Sequence, residues 1–374
     1  MSRFSTTPAL RWVVPGAAAA AVASVVTISG VVVASADAGL APRSAAQLLA
    51  DVAKAKVDGM SGTVVQRAEL GLPELPGLSR DSSEFSSMVS GTHTLRVWYS
   101  GPDKARFALM GTLGESDLIR NGNDVWLWSS EQRTAAHLTM TGHDAARRAP
   151  ADLPMSPQEA VDDVLAKIGP TTQLSTSRTA RVAGRAAYQL VVSPREASSL
   201  IASVRVAVDG ALKVPLRVQV FTKGDAEPAF EVGFTSVEFT RPEAAQFRFN
   251  PPAGTQVEEV TADTLKALMS RAADAKPTAA QRPTVVGSGW TAVVVAKMPA
   301  VPAGNGPSDQ SGPQAGQGGQ GADWRQVLAR LPKVSGDWGS GRLLKSRLLT
   351  VVVTDDGRVA AGAVTPATVY AALK

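Results

Sequence analysis

Residues 91–110, which read GTHTLRVWYSGPDKARFALM, decide the fold. From Thr92 to Tyr99 apolar and polar side chains alternate, as in a strand that buries one face. Gly101 and Pro102 then predict a tight turn, and residues 104–110 return as a second alternating strand. The stretch therefore predicts an antiparallel hairpin whose apolar side chains share one face.

The same alternation continues on both sides of this hairpin. Asn121-Gly122, between two apolar runs, predicts a second tight hairpin, and Asp209-Gly210 predicts another turn. Before residue 252 we expect about ten or eleven antiparallel strands, with a capped helix at 156–168 inserted among them. A sheet of this kind buries its apolar face by curling into a filled barrel or around a cavity.

One face of the predicted sheet supplies the candidate ligand-binding residues. Alternating apolar side chains usually form the hydrophobic core of a protein, and the functional alternative is that they line a cavity for a hydrophobic ligand. The candidates are Leu95, Val97, Tyr99, Phe107, Leu109, Val125, Leu127, Leu190, Val206, Leu216, Val218, Phe230, Val232 and Phe234.

The N-terminal segment, residues 1–36, indicates where in the cell the protein is located. Arg3 and Arg11 precede an uncharged, Ala- and Val-rich run, and Ala34-Ser35-Ala36 fits a cleavage site. This pattern favours a signal peptide, and a retained membrane anchor is the alternative because the uncharged run is long enough to span a bilayer. Both interpretations place the rest of the chain outside the cytoplasmic membrane, secreted or attached to its outer face.

Two regions are predicted to follow this segment. Residues 43–257 form the half-barrel domain, which starts with a helix capped by Ser44 and includes a long loop at 71–91. Residues 258–374 form a small α+β domain with a disordered Gly/Gln/Pro-rich loop at 302–322. Its predicted elements are a helix at 257–273, a strand at 291–298, a helix at 323–331, a hairpin at 348–364 and a final helix at 365–373.

The composition leaves few residues for catalysis. The chain has no cysteine, and His137 and His143 have no carboxylate or third ligand at a supportive spacing. Residues 316–321 satisfy GxGxxG, but they lie in low-complexity sequence with no strand before them. With a net charge of only +5 and no dense basic run, a nucleic-acid partner is not expected. We therefore expect a binding protein with no catalytic, cofactor-binding or metal-binding residues.

Trp98, Trp126 and Trp128 have two interpretations. They could line the mouth of a ligand pocket, or they could stabilise cross-strand pairs. The sequence favours the second.

Several strand-and-turn strings together resemble a known family. They are residues 91–107, 118–128 (LIRNGNDVWLW), 208–217, 234–239 and 247–254 (FRFNPPAG). They resemble the periplasmic lipoprotein carriers of the LolA type, over roughly residues 44–258. The small C-terminal domain resembles that of the MucB/RseB-type sigma-E regulators. The resemblance implies a half-open antiparallel β-barrel with covering helices that binds the acyl chains of lipid or lipoprotein. The alternative it implies is an envelope-stress regulator that binds a membrane anti-sigma factor.

One departure from the family pattern concerns ligand release. The carriers have an Arg-Pro pair after the second strand, whose Arg is thought to latch a lid, and the matching pair here is Gly101-Pro102. Arg96 and Arg106 are the candidate substitutes for the missing arginine.

Overall fold

The computed structural model describes residues 40–72, 85–112, 114–140, 171–260, 283–297 and 328–374. The chain divides into two compact units. The first comprises residues 1–70, 80–197 and 201–276, and the second comprises residues 71–79, 198–200 and 277–374. Within the described ranges, no helix has the length and apolar character needed to cross a membrane. The N-terminal segment 1–36, the expected helix at 156–168 and the loop at 302–322 lie outside the described residues.

The first unit is built on one large sheet. Its strands are β1 (Met60–Ala68), β2 (Gly91–Tyr99), β3 (Lys104–Met110), β4 (Glu115–Asn121), β5 (Asp124–Ser129), β6 (Thr134–Thr139), β7 (Thr172–Val182), β8 (Arg185–Pro194), β9 (Ile201–Asp209), β10 (Pro215–Thr222), β11 (Phe230–Glu238) and β12 (Gln256–Val260). Their order across the sheet is β12-β6-β5-β4-β3-β2-β1-β11-β10-β9-β8-β7. Because β12 and β7 lie at opposite ends, the sheet is open, and the predicted mainly β half-barrel architecture is confirmed.

The element that starts at Val257 requires correction. Eleven strands, β1 to β11, lie before residue 252, within the expected ten or eleven, and the twelfth strand of the sheet, β12, occupies the start of the helix predicted at 257–273. β12 pairs in parallel with β6, from Gln256 opposite Thr134 to Val260 opposite Leu138. The unpaired edge of β6 supplies backbone partners, and these override the local helical preference of the Glu-containing segment. The rest of the predicted helix lies outside the described residues.

Helix α1 (Ala45–Lys54) covers part of the sheet. Ser44 accepts from the Gln47 backbone N–H at 3.2 Å, and the Gln47 side chain accepts from the Ser44 backbone at 2.9 Å. This capping box begins the helix where the sequence predicted it. Leu48 is fully buried, and the helix packs against β7 and β8.

The end of the sheet that carries β7 is strongly curled. β7 approaches β11, which lies four places away in the strand order. Val182, Ala187, Ala207 and Leu216 form a buried cluster here, with Phe234 and Val237 packed against it. Curling of this kind reduces the apolar surface that an open sheet leaves in water.

The second unit has a separate six-stranded sheet and one described helix of more than one turn. The strands are β13 (Thr284–Val286), β14 (Val293–Lys297), β15 (Lys333–Gly336), β16 (Gly339–Lys345), β17 (Thr350–Thr354) and β18 (Arg358–Gly362), and the helix is α2 (Pro366–Ala372). The order is β13-β14-β18-β17-β16-β15, with antiparallel neighbours. Val293, Val352, Ala360 and Val369 are central to its core, which packs α2 against the sheet.

The hairpin and final helix of this unit were predicted, whereas β13, β15 and β16 were not. The predicted strand at 291–298 begins later, at Val293, after a short 3-10 turn. β15 and β16 contain Gly336, Gly339 and Gly341, which from sequence alone are typical of a loop. The predicted boundary between residues 257 and 258 falls inside β12.

Candidate functional site

The first sheet carries one continuous apolar face, defined here by cross-strand pairs. Leu95 pairs with Leu109 and with Val64, and Val64 pairs with Phe234. Further along the sheet, Val232 pairs with Val218, Val218 with Val206, and Val206 with Leu190. Directly paired residues lie on the same side of a sheet. This side, which we call the apolar face, therefore runs without a break from β3 to β8.

In the other direction the apolar face extends through two further strands, β4 and β5. Val97 pairs with Phe107, Phe107 with Leu118, and Leu118 with Leu127. Val125 and Tyr99 follow by alternation along β5 and β2, and Phe230 does so along β11. The structure thus brings together on one face thirteen of the fourteen candidates.

Leu216 is the one candidate that the cross-strand pairs do not place. The register between β10 and β9 shifts between Pro215 and Arg217, so Leu216 lies at an irregularity. It belongs to a buried cluster with Ala187 and Ala207 of the opposite face, and Phe234 of the apolar face packs against the same cluster. A bulge of this kind leaves no clear signal in the sequence.

Burial divides the apolar face into two parts. Near β8 and β9 the side chains are core, with Leu190 and Val206 1% and 4% exposed. Towards β5 they are open, with Phe107, Leu118 and Leu127 exposed by 40%, 39% and 42%. These last three are consecutive cross-strand partners, and we call them the exposed row. Isolated exposed apolar residues are common on proteins, and these three differ from them in being contiguous across three strands.

The polar side of the same strands holds aromatic and charged residues. Trp126 and Trp128 lie there, with ring centroids 5.2 and 5.6 Å from that of Phe249. Phe247, in the segment that follows β11, is 1% exposed, and this segment packs against β3 and β4. The tryptophans therefore serve strand packing on the opposite face, as the sequence favoured.

The two arginines proposed to replace the family's latch also lie on this opposite face. The Arg96 and Arg106 guanidinium carbons are 4.9 and 5.2 Å from the Trp98 ring centroid. Arg106 also donates two hydrogen bonds to the buried Asp117 carboxylate, at 3.0 and 2.9 Å. The expectation that either arginine substitutes for the latch is not supported, because both point away from the apolar face.

A cavity of about 200 Å³ opens on the same polar side. Thr63, Arg96, Trp98 and Glu238 contribute to its lining. It is a half-open polar groove beside the irregularity between Thr63 and Val64. Its chemistry does not match an acyl chain.

His137 has the carboxylate partners that the sequence did not reveal. Its Nδ1 is 2.9 Å from Glu259 on β12, and its Nε2 is 3.1 Å from Asp124 on β5. The ring also stacks on Trp126, with centroids 4.0 Å apart. Sequence spacing did not reveal these carboxylates, because Glu259 and Asp124 are 122 and 13 residues away along the chain. No group of three or more potential metal ligands occurs among the described residues, and His143 lies outside them.

Gln66 and His93 are buried polar residues within the apolar face, and the sequence analysis missed both. Gln66 on β1 pairs with His93 on β2, and they are 1% and 4% exposed. The Gln66 Nε2 donates to the Met88 carbonyl at 3.1 Å, and the His93 Nε2 donates to the Ser90 carbonyl at 2.8 Å. The available signal was the alternation Val64, Gln66, Ala68, which places Gln66 on the apolar side of its strand.

One buried ion pair supports the turn between β9 and β10. Arg185 donates to both Asp209 oxygens, at 2.5 and 3.2 Å, and the Asp209 side chain is 1% exposed. Burial acts to raise the pKa of Asp209, but hydrogen bonds from Arg185 and from the Leu212 and Ala211 backbone hold it below its usual range. The same pair raises the pKa of Arg185. This charge is structural and lies on the opposite face from the exposed row.

Comparison with known proteins found similarity only among solved structures, since no family model and no curated protein matches the chain. A chain in the Pseudomonas aeruginosa MucA/MucB complex is 16% identical, with 88% of this chain and 96% of that chain covered and a TM-score of 0.42. A LolA superfamily protein from Nitrosomonas europaea is 11% identical, with 56% and 99% covered and a TM-score of 0.21. An uncharacterized conserved protein from Thermus thermophilus is 14% identical, with 57% and 96% covered and a TM-score of 0.32. The resemblance to LolA-type and MucB/RseB-type proteins is thus also found among solved structures.

Proposed function

We propose that this protein binds the acyl chain of a lipid or lipoprotein on the apolar face of its first sheet. The observation that carries the proposal is the exposed row, in which Phe107, Leu118 and Leu127 are consecutive cross-strand partners and each is about 40% exposed. Water contact with three adjacent large apolar side chains is unfavourable, and a hydrocarbon chain laid across them removes it.

The energetics of such a site require no polar motif. Each methylene transferred from water contributes about 0.8 kcal/mol, so a chain of about a dozen methylenes supplies considerable affinity. Because the core end of the same face is already filled by Leu190 and Val206, the ligand is expected at the β3–β5 end.

A matched pair of substitutions tests this proposal. Phe107 and Met110 lie on β3 and are 40% and 39% exposed, but they face opposite sides of the sheet. The full chain is titrated with a fatty acid that carries an environment-sensitive fluorophore at its end. We expect Phe107→Glu to weaken binding at least about tenfold, because a carboxylate beside the chain loses hydration. Met110→Glu is expected to leave the dissociation constant within about twofold.

The outcomes separate clearly. Equal effects of the two substitutions would place the probe elsewhere, and failure of the wild-type protein to bind the probe would exclude the proposal. Circular dichroism of both variants shows that the sheet is intact.

We also propose that the protein acts outside the cytoplasmic membrane. The uncharged segment after Arg11 and the Ala34-Ser35-Ala36 pattern support export of the chain. N-terminal sequencing of protein recovered from outside the cytoplasmic membrane tests it. A new N-terminus at residue 37 indicates a cleaved signal peptide, an intact N-terminus in the membrane fraction indicates an anchor, and recovery only from the cytosol contradicts export. Binding to a membrane anti-sigma factor stays a prediction of the sequence.

A further inference from the structure

Gln66 carries an unsatisfied hydrogen-bond acceptor within the apolar face. Its side chain is 1% exposed, and its Nε2 donates to the Met88 carbonyl. Among the described residues, nothing donates a hydrogen bond to its Oε1, which is fully buried. A buried acceptor without a donor costs about 1–3 kcal/mol, so the position is unfavourable unless a donor arrives from outside the protein.

The surroundings of Gln66 indicate where such a donor enters. Gln66 pairs with His93 on one side and with Val232 on the other. Val232 is only partly buried, and its cross-strand partner Val218 is also partly buried. Gln66 and His93 are themselves covered, so a donor approaches the Gln66 Oε1 from the side of the partly buried Val232 and Val218, on the face where we propose that the acyl chain binds.

The position of Gln66 also suits the end of a long chain. Two strand spacings of about 4.8 Å and four residues of about 3.3 Å separate it from Phe107 in the sheet register, or roughly 16 Å in a flat sheet. A ligand whose hydrocarbon lies across the exposed row therefore reaches Gln66 only with a chain of considerable length.

We infer that the ligand carries a hydrogen-bond donor, a hydroxyl or an amide N–H, next to its acyl chain, and that this group donates to the Gln66 Oε1. The inference rests on the proposed function and narrows it, because a donor-free hydrocarbon leaves the acceptor unsatisfied. Gln66 is then a specificity-determining residue, since it favours ligands that carry a hydrogen-bond donor, while the apolar side chains bind the acyl chain of any such ligand.

Two probes test the inference, and they differ only in whether the amide nitrogen carries a hydrogen or a methyl group. The first is a hexadecanoic amide of an environment-sensitive fluorophore with a secondary amide N–H, and the second is its N-methyl counterpart. For the wild-type full chain we expect the N–H probe to bind about tenfold more tightly. In Gln66→Leu the ratio of the two dissociation constants is expected to fall to about one.

Gln219→Leu is the matched control. Gln219 lies on the opposite face of β10, where its Nε2 donates to Glu231 at 2.5 Å. This substitution should keep the tenfold ratio. Since both probes are measured on each variant, a general loss of stability cancels in the ratio, and Gln66→Met provides a second variant if Gln66→Leu does not fold.

The possible results are distinguishable. A wild-type ratio near one, or an unchanged ratio in the Gln66 variants, overturns the inference, and the buried acceptor then binds water alone. If neither probe binds to the wild-type protein, the proposed function itself fails.

Discussion

Phe107 on β3 and Leu118 on β4 are direct cross-strand partners, and each leaves about two fifths of its side chain in water (40% and 39%). Leu109 lies two residues along β3, on the same face, and is fully buried. The apolar face therefore changes from core to accessible surface within a single strand. This change separates residues that stabilise the fold from residues that we propose to bind the ligand.

The first prediction concerns stability along this strand. Leu109→Ala should lower the free energy of unfolding by about 2–5 kcal/mol, because it leaves a cavity in packed core. Phe107→Ala should lower it by only about 1–2 kcal/mol, since much of its ring is already hydrated. Urea denaturation followed by circular dichroism measures both, and equal losses would contradict the division of the face.

The second prediction concerns acid. The pKa of Asp209 is lowered in the folded state, so its carboxylate stabilises the fold above its ordinary pKa, and this contribution disappears as the pH falls through the lowered value. Asp209→Asn should cost about 3 kcal/mol near neutral pH. The difference from wild type should shrink between about pH 5 and pH 2.

Asp103→Asn is the control for this experiment. The Asp103 carboxylate is 68% exposed and pairs with Arg120 at 3.2 Å, so its loss should cost less than about 1 kcal/mol. Thermal unfolding across the pH range measures both variants. A difference between wild type and Asp209→Asn that stays constant with pH would show that the pKa of Asp209 is not lowered in the folded state.

The third prediction concerns the attachment of β12. His137 links β6 to Glu259 on β12 and stacks on Trp126. His137→Ala should accelerate amide hydrogen exchange in residues 256–260 by about fivefold, because it removes the hydrogen bond to Glu259, worth roughly 0.5–1.5 kcal/mol, and the ring that stacks on Trp126. Exchange in β17 of the second unit is the internal reference. Unchanged exchange in β12 would mean that the backbone ladder alone holds the strand.

The fourth prediction concerns Gly62, at the centre of the first sheet. A Cβ at this position would lie 2.3 Å from the Ser236 carbonyl oxygen and 3.0 Å from the Phe234 ring. Gly62→Ala should therefore destabilise the protein by about 1–3 kcal/mol. Ser61→Ala, one residue earlier in β1, should have a smaller effect. Chemical denaturation tests the pair, and a neutral Gly62→Ala would show that the β-bulge beside Thr63 relaxes freely.

Much of the candidate site could be predicted from the local alternation of apolar and polar residues in the sequence. In β2, β3 and β11 the alternation of side chains determines which residues share a side, so Leu95, Phe107 and Phe230 were assigned together correctly. Alternation alone does not settle the side of Leu216, because it lies at a register irregularity that depends on the neighbouring strand. Gln66 was missed because one polar residue in an apolar run carries no distinct signal until its burial is known.

By itself, the sequence determined most strands of the first sheet, most of their turns and most of the membership of the apolar face, since these follow from backbone geometry and side-chain periodicity over a few residues. Only the tertiary structure decided which part of that face is core and which part is exposed, because burial depends on what packs from distant parts of the chain. The strand β12 was also decided by the tertiary structure, because residues 256–260 form a strand by pairing with the free edge of β6. The same holds for His137, whose partner Glu259 is 122 residues away, and for the unsatisfied acceptor of Gln66. Local periodicity cannot specify such contacts, because they join residues that are far apart in sequence and become neighbours only through the arrangement of the strands in the folded protein.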